Sequence, residues 1–283
     1  MKANDQFLNL PKNFWASVRL ISQEAGYTEK RTGQIKIPSL SQIEDRLATI
    51  GVDFAQLRSQ KFQNGNFESY LHNYFVYRAD VINSFVEQHL LTVHEAKEIF
   101  DRLYKELLPT CPLPLNKQKG DMKRPAYLTG IVNMLVEANA EGLPCDYDPR
   151  KLTSITKNRL PVRTLARRVD GAFPDSVNPI AIWEIKEYYY TTTFGSRVAD
   201  GIYESLLDGL ELEELREHEG IDVKHYLIVD AYETWWNQGK SYLCRIIDML
   251  HMGYIDEVLF GQEVVEKLPV LVKEWVRIYR SRE

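Results

Sequence analysis

The sequence predicts a mixed α/β protein in which a mainly helical region, residues 1–115, precedes a core at 116–283 whose mixed β-sheet is flanked by helices. Three observations predict this fold. In the first hundred residues, apolar positions recur at helical spacing. In the second half, segments rich in β-branched and aromatic residues alternate with helical segments, as in α/β layers. Between the halves, a Pro-rich segment and a polar loop at 109–125 form the best candidate boundary.

The N-terminal region is predicted from helix caps and apolar spacing. Ser39 can cap a helix over 39–47, where the apolar residues fall on one face. Residues 70–107 predict two further helices with a break near Leu91. Residues 14–39 predict a helix and then a basic, Gly-containing loop that leads into the capped helix.

After residue 140 the apolar pattern changes from helical to extended. The turn sequence Pro-Asp-Ser-Val-Asn-Pro at 174–179 separates two segments rich in β-formers and predicts a hairpin. The predicted order is helix 127–140, hairpin strands 165–173 and 180–186, helix 195–210, strand 225–230, helix 240–251, a short strand near 258–260 and a terminal helix.

Composition narrows the class of protein. A chain of 283 residues with 44% hydrophobic and 27% charged residues can bury an ordinary globular core. No apolar run reaches the roughly 18 residues that a membrane span needs, and the first residues lack a secretory signal, so we expect a soluble, cytoplasmic protein. The three cysteines are far apart and predict neither a disulfide framework nor a zinc site.

Charge is distributed unevenly along the chain. The net charge of -5 argues against a protein that coats nucleic acid indiscriminately. Residues 150–168 contain seven basic and no acidic residues, whereas residues 204–222 contain eight acidic residues and one basic residue. This asymmetry is compatible with one face made for an anion, and a solvated charge run is the alternative.

Three residues of the predicted hairpin carry a chemical pattern. Glu184 and Lys186 are two positions apart on one strand and therefore share a face, while Trp183 and Ile185 face the core. Asp170, on the partner strand, can lie beside Glu184. Phosphodiester hydrolysis needs carboxylates to hold Mg²⁺, which activates water and neutralises charge. A nearby lysine can orient that water or stabilise the developing charge.

The tripeptide pattern acid-x-Lys is common, and three other copies occur, at 95–97, 121–123 and 222–224. They fall in a predicted helix, a polar loop and a strand that no Asp-bearing hairpin precedes. Only Glu184 and Lys186 end an apolar strand that a tight turn joins to an Asp-bearing one. The alternative is that they form an exposed, charged strand end.

The order Asp170, hairpin and then Glu184-Ile185-Lys186 resembles the motif of the PD-(D/E)xK nuclease superfamily. The resemblance covers about residues 125–260, and within the superfamily the chain is most similar to the type II restriction endonucleases. The resemblance implies a restriction-endonuclease-like core. It also implies that Asp170, Glu184 and the backbone carbonyl of Ile185 hold Mg²⁺ and that Lys186 is catalytic. The literal Pro-Asp is at 174–175, but Asp175 falls in the turn, where turn chemistry explains it.

One supporting residue follows from the resemblance, and the others follow from helical spacing and charge. Glu137 is the possible helper carboxylate from the preceding helix, although its helical face is one that usually meets solvent. Arg197, Asp200 and Glu204 share a face of the next helix and could touch the scissile backbone or a second metal, with a surface salt-bridge ladder as the alternative. The N-terminal region, 1–115, exceeds what the catalytic core needs, so we expect it to supply DNA recognition. The candidate DNA contacts are Arg163, Arg167, Arg168, Lys30, Arg31, Gln34 and Lys36. The alternatives are that the basic run serves solubility and that the first loop belongs to a plain helical hairpin.

Other hydrolase signatures are missing from the sequence. The six histidines make no HxxxH or HExxH arrangement, and neither a G-x-S-x-G elbow nor a phosphate-binding GxxxxGK[ST] loop occurs. These absences argue against zinc hydrolases, esterases and ATPases.

The sequence thus predicts a Mg²⁺-dependent endonuclease that hydrolyses double-stranded DNA. The expected form is a sequence-specific type II restriction enzyme, homodimeric because palindromic sites favour two-fold symmetry, and paired with a DNA methyltransferase in a prokaryotic cytoplasm. A structure-selective repair or junction nuclease is one alternative. A DNA-binding regulatory or interaction protein, whose charged residues are only structural, is the other.

Overall fold

The structure, a computed structural model, describes residues 1–60, 65–116, 120, 123–191 and 195–282. Within these ranges the chain is a mixed α/β protein with two sheets, one of them mixed. No helix in the described ranges is long and apolar enough to cross a membrane.

The N-terminal region is helical, as predicted. The Ser39 hydroxyl accepts a hydrogen bond from the Gln42 amide, and the Gln42 side chain accepts one from the Ser39 amide, so a capping box begins the second helix. The predicted break near Leu91 is confirmed, and Thr92 caps the helix after it. The helices are α1 (Lys12–Ala25), α2 (Leu40–Thr49), α3 (Phe54–Ser59), α4 (Phe67–Val81), which continues through a π-helical turn (Ile82–Val86) into α5 (Glu87–His89), and α6 (Val93–Leu107).

The C-terminal region contains the mixed sheet. Its strand order is β3-β4-β5-β6, with β3 antiparallel to β4 and the other three strands parallel. A separate hairpin pairs β1 with β2. The elements are α7 (Tyr127–Asn139), β1 (Ser154–Lys157), β2 (Leu160–Thr164), β3 (Gly171–Phe173), β4 (Ala181–Glu187), α8 (Ser196–Glu219), β5 (Lys224–Asp230), α9 (Tyr232–Trp235), α10 (Lys240–His251), β6 (Glu257–Phe260) and α11 (Glu263–Arg282).

Two predicted extents are wrong. Of the segment 165–173, only β3 is a strand, and the sequence analysis missed the β1–β2 hairpin before it. Asn158 and Arg159 make that hairpin's turn at positive φ, a conformation that the basic composition of the segment gave no reason to expect. Helix α8 continues past residue 210 to Glu219, where Gly220 ends it in the left-handed conformation.

Helices cover both faces of the sheet, and successive side chains of β4 point to opposite faces. Trp183 packs into the core cluster that contains residues of α7 and α11, and its ring stacks on Trp275 at 5.6 Å. Leu227 and Val229, the β5 neighbours of Glu184 and Lys186, pack instead among residues of α8 and α10. The two charged residues of β4 therefore face α8.

Gly171 is required where β3 meets β4. A Cβ atom at this position would lie 2.1 Å from the Trp183 indole, far inside van der Waals contact. The register pairs Gly171 with Trp183 directly, so the ring lies over the glycine. The position next to Asp170 is thus closed to side chains while Trp183 is present.

A buried ion pair joins the N-terminal region to the sheet domain. Arg78 of α4 places Nη1 3.0 Å and 3.1 Å from the two carboxylate oxygens of Asp248 in α10. The Tyr74 hydroxyl donates to the same carboxylate at 2.7 Å. Arg78 is 1% and Asp248 3% exposed. A buried pair of this kind is costly to break, because removing one partner leaves the other charge uncompensated.

Asp248→Ala should lower the free energy of unfolding by about 3–5 kcal/mol, because the Arg78 charge stays buried without its carboxylate. Urea unfolding monitored by tryptophan fluorescence measures the change. Asp80→Ala, which removes an exposed acid from the same helix as Arg78, is the matched control and should change stability by no more than about 0.5 kcal/mol. Equal losses in the two variants would contradict the assigned role of the pair.

Candidate active site

The predicted trio converges at the β3–β4 hairpin. The Asp170 carboxylate accepts a hydrogen bond from the Ile185 amide at 2.8 Å, and its own amide donates to Glu184 Oε1 at 3.2 Å. Lys186 Nζ lies 2.8 Å from Glu184 Oε2. The expectation that Asp170 lies beside Glu184 across the hairpin is confirmed.

Burial differs within the trio. Glu184 is 0% and Lys186 5% exposed, whereas Asp170 reaches solvent. Helix α8 covers the end of β4: a Cβ atom on Gly201 would lie 3.2 Å from the Lys186 side chain, so the glycine allows close approach. The alternative of an exposed, charged strand end is wrong for this site.

Three further charged residues complete the site. Arg167 contacts Glu184 with both terminal nitrogens, at 2.9 Å and 3.0 Å. The same guanidinium lies 2.6 Å from Asp208 and 3.3 Å from Glu204, both on α8. Lys186 Nζ is 3.4 Å from Glu204. We call Asp170, Glu184, Glu204, Asp208, Arg167 and Lys186 the β4–α8 cluster. It holds four carboxyl groups against two cations.

Burial and neighbouring charges shift the pKa values of these carboxyl groups in different directions. Burial alone would raise the pKa of Glu184, but Lys186 and Arg167 more than offset it and hold that pKa below its ordinary value. Desolvation, reinforced by the Glu184 carboxylate, raises the pKa of Asp170 to about 6 although its surface is open to solvent. Desolvation raises the pKa of Asp208 to about 7, against the lowering effect of Arg167. Glu184 therefore keeps its negative charge to a lower pH than Asp170 or Asp208.

Some buried polar atoms in this region have no hydrogen-bond partner. Among the described residues, Asp208 Oδ1 and His225 Nε2 are buried without a hydrogen-bond partner. His225 precedes Leu227 on the same face of β5, and its Nδ1 lies 2.8 Å from the Tyr254 carbonyl. Burial lowers the pKa of His225, so it is neutral at pH 7. Such unpaired atoms are uncommon in folded proteins.

The basic and acidic runs of the sequence pair with each other. Arg163 lies 2.5 Å from Glu214, Lys157 lies 3.1 Å from Glu219, and Arg167 joins the cluster. Arg163 and Arg167, predicted as DNA contacts, are thus engaged by carboxylates of α8. Arg168 is exposed and forms no ion pair within the described part of the chain.

The loop after α1 has one structural lysine and an exposed tip. Lys36 Nζ donates to the Ala25 carbonyl at 2.7 Å and lies 3.4 Å from Glu29. An isolated bridge between Thr28 and Ile35 closes the loop. The other three candidate DNA contacts of this loop are exposed, namely Lys30, Arg31 and Gln34.

Glu137 has a different partner from the predicted one. Its carboxylate accepts a hydrogen bond from the Thr110 amide at 3.0 Å and holds the segment after α6. Helix α7 packs on the Trp183 face of the sheet, opposite the β4–α8 cluster. None of the hydrogen bonds described for Glu137 reaches the cluster.

Sequence reasoning missed Asp208 and underrated Glu204. Polar positions on a helix usually meet solvent, so Glu204 was weighed against a surface salt-bridge ladder. The available signal was the spacing of four residues from Glu204 to Asp208, which places both on one face. Of its two proposed companions, Asp200 is exposed, and the side chain of Arg197 lies outside the described part of the structure.

The donor chemistry of the site fits Mg²⁺. This ion takes oxygen ligands and often uses only one or two protein carboxylates, with water completing its shell. Asp170 and Glu184 flank Ile185, so two carboxylates and one carbonyl are available close together. Within the described residues, no three His, Cys, Asp or Glu side chains converge as a ready-made metal site. Arg167 engages both oxygens of Glu184, so an ion there would compete with the guanidinium.

Comparison with known protein families gives a match over most of the core. The family model described as "Domain of unknown function (DUF7687)" covers residues 91–275, more than half of the chain. The chain belongs to the DUF7687 family. A second model, "Domain of unknown function (DUF7690)", matches residues 1–85. The whole β4–α8 cluster lies in the DUF7687 region. No curated protein and no solved structure matches the chain.

Arg167→Met should make stability fall more steeply with rising pH. Without the guanidinium, the pKa values of Glu184 and Asp208 rise in the folded state. The folded protein then binds more protons than the unfolded chain between about pH 4 and these raised pKa values. The free energy of unfolding then decreases as pH rises, by up to about 1.4 kcal/mol per pH unit for each such group.

Urea unfolding at pH 5.5 and pH 8.0 measures this slope. Arg168→Met, which removes the exposed neighbouring charge, is the control and should keep the wild-type slope. A wild-type slope in Arg167→Met would show that the guanidinium does not hold these carboxylates ionised.

Proposed function

We propose that the chain is a Mg²⁺-dependent endonuclease that hydrolyses the phosphodiester bonds of double-stranded DNA. The observation that carries the proposal is the convergence of Asp170, Glu184 and Lys186 at one end of a β-hairpin. One carboxylate is open to solvent, while the other carboxylate and the lysine are buried beside it.

The finer proposal is a sequence-specific type II restriction enzyme with a restriction-endonuclease-like core. It is supported by an antiparallel hairpin that continues into parallel strands, with helices on both faces. In this proposal the enzyme is a homodimer that reads palindromic sites, and a DNA methyltransferase protects the host DNA. The exposed basic tip formed by Lys30 and Arg31 and the exposed Arg168 are the candidate DNA contacts.

The roles of the residues follow from their environments. Asp170, Glu184 and the Ile185 carbonyl would hold Mg²⁺, which when bound supplies an activated water and neutralises charge on the phosphate. Burial lowers the pKa of Lys186, but Glu184 and Asp170 more than offset this and raise it above its ordinary value. Lys186 is therefore protonated in the metal-free protein and can donate to the attacking water or to a phosphate oxygen.

Asp170→Ala and Lys186→Ala should each reduce cleavage of supercoiled plasmid in Mg²⁺ by about a hundredfold or more, because one removes a metal ligand and the other the stabilising cation. Gel analysis of nicked and linear products measures the rate. Asp175→Ala is the matched control, since the Asp175 carboxylate accepts from the Val177 amide at 3.0 Å within the turn. Cleavage that survives either site variant would refute the assignment.

The pattern of products separates the related functions. Discrete plasmid fragments support the restriction enzyme. Cleavage confined to branched or damaged DNA supports a structure-selective nuclease instead. DNA binding with no cleavage in Mg²⁺ or Mn²⁺ supports a regulatory or interaction protein in which the cluster is structural.

Metal binding can be tested without any substrate. Saturating Mg²⁺ or Ca²⁺ should raise the melting temperature of the wild-type protein, because a ligand that binds only the folded state stabilises it. Asp170→Asn should abolish most of this shift, and Asp175→Asn should retain it. Differential scanning fluorimetry at pH 7.5, where Asp170 is ionised, is the measurement. An equal shift in Asp170→Asn would place the ion elsewhere.

A further inference from the structure

A second candidate site lies where the N-terminal region meets α8 and α10. Residues of α1, the following turn, α8 and α10 line a cavity of about 610 Å³. This volume falls within the range of small-molecule sites, which is about 300–1,000 Å³. We call it the α1–α8–α10 pocket. It is separate from the β4–α8 cluster, with which it shares no residue.

The pocket offers flat apolar surface. Tyr27 and Tyr203 line it together with the apolar side chains Ile202, Leu206 and Met249. Tyr203 is 51% exposed, so its ring is accessible to a ligand. Aromatic rings that line a cavity in this way stack well on a planar heteroaromatic ligand.

The pocket also carries unbalanced positive charge. Among the described residues, neither Arg19 nor Arg245 lies within ion-pair distance of a carboxylate, although both line the pocket. Asp248 is the acid of the pocket wall, and the buried Arg78 already neutralises it. The formal balance of the lining is therefore positive and favours an anion.

Arg245 is held in place for binding. Its guanidinium lies over the rings of Tyr27 and Tyr242, at 4.3 Å and 4.4 Å from their centroids. One hydrogen bond, from Nη1 to the Ser241 carbonyl at 3.1 Å, is described for it. Arginine has five N–H donors, so most remain for a ligand, and a stacked guanidinium loses little freedom on binding a phosphate.

We propose that the α1–α8–α10 pocket binds a nucleotide unit, its base stacked on Tyr203 and its phosphate paired with Arg245. The aromatic part of the lining suits a planar ring, and Arg245 suits an anion. A nucleotide joins these two groups in one molecule. The source is either a free nucleotide or one residue of a nucleic acid strand. Tyr203 and Leu206 of the pocket flank Glu204, which lies 3.4 Å from Lys186, so pocket and cluster share two turns of α8.

Isothermal titration calorimetry of the full chain, without divalent metal, tests the proposal independently of cleavage. The probes are deoxyadenosine 5′-monophosphate, deoxyadenosine, inorganic phosphate and a five-nucleotide single-stranded oligodeoxynucleotide. The monophosphate should bind saturably, and the nucleoside and phosphate each about tenfold more weakly or worse, because one lacks the contact with Arg245 and the other lacks the stacking contact. An oligonucleotide that binds tighter than the monophosphate identifies a strand as the source, and equal affinity identifies the free nucleotide.

Variants localise the binding. Arg245→Gln should raise the Kd for the monophosphate about tenfold or more, and Tyr203→Ala about fivefold or more. Arg102→Gln removes an exposed arginine of α6, and Tyr104→Ala removes a tyrosine that is 50% exposed. Both controls should stay within about twofold of wild type.

Tyr203 is an exposed position in a helix, so Tyr203→Ala keeps the test decisive if Arg245→Gln disturbs the stacking on Tyr27. Circular dichroism and the melting temperature verify that the variants are folded. The proposal is overturned if neither the monophosphate nor the oligonucleotide binds saturably. It is also overturned if folded Tyr203→Ala and Arg245→Gln bind as wild type does.

Discussion

The site depends on the contact between Arg167 and Glu184. A carboxylate that is fully withdrawn from water keeps its charge only where cations and donors surround it. Arg167 supplies two of these donors and Lys186 a third. Because Arg167 also binds Asp208, the same guanidinium fixes α8 over the end of β4. Val198 and Ile202 of α8 add apolar packing against the sheet to this ionic link.

Ion pairs also join longer charged segments of the chain. The chain places its most basic and its most acidic segments against each other, so that α8 pairs with Lys157, Arg163 and Arg167. The basic residues that these pairs do not neutralise include those at the tip of the first loop and those that line the α1–α8–α10 pocket. An acidic protein can therefore present local basic surface to an anion without a basic composition.

Alternation and capping made much of the fold predictable. The Ser39 cap, the hairpin turn at 174–179 and the facing of Glu184 and Lys186 all follow from local rules that involve few residues. Asp208 was not predictable in the same way, because its burial depends on an arginine 41 positions earlier in the chain. The partner of Glu137 was missed for a similar reason: Thr110 lies in an irregular segment that no period describes. Local patterns predict elements and faces, whereas long-range ionic contacts decide which polar residues are withdrawn from water.

The glycine beside Asp170 has an evolutionary consequence. Residue 171 and residue 183 occupy one shared volume, because the indole of Trp183 fills the space that a side chain at 171 would need. A side chain at 171 therefore requires a residue smaller than tryptophan at 183, and that change removes the indole that stacks on Trp275. In relatives of this protein we therefore expect glycine at 171 wherever 183 is tryptophan, and a larger residue at 171 only where 183 is smaller.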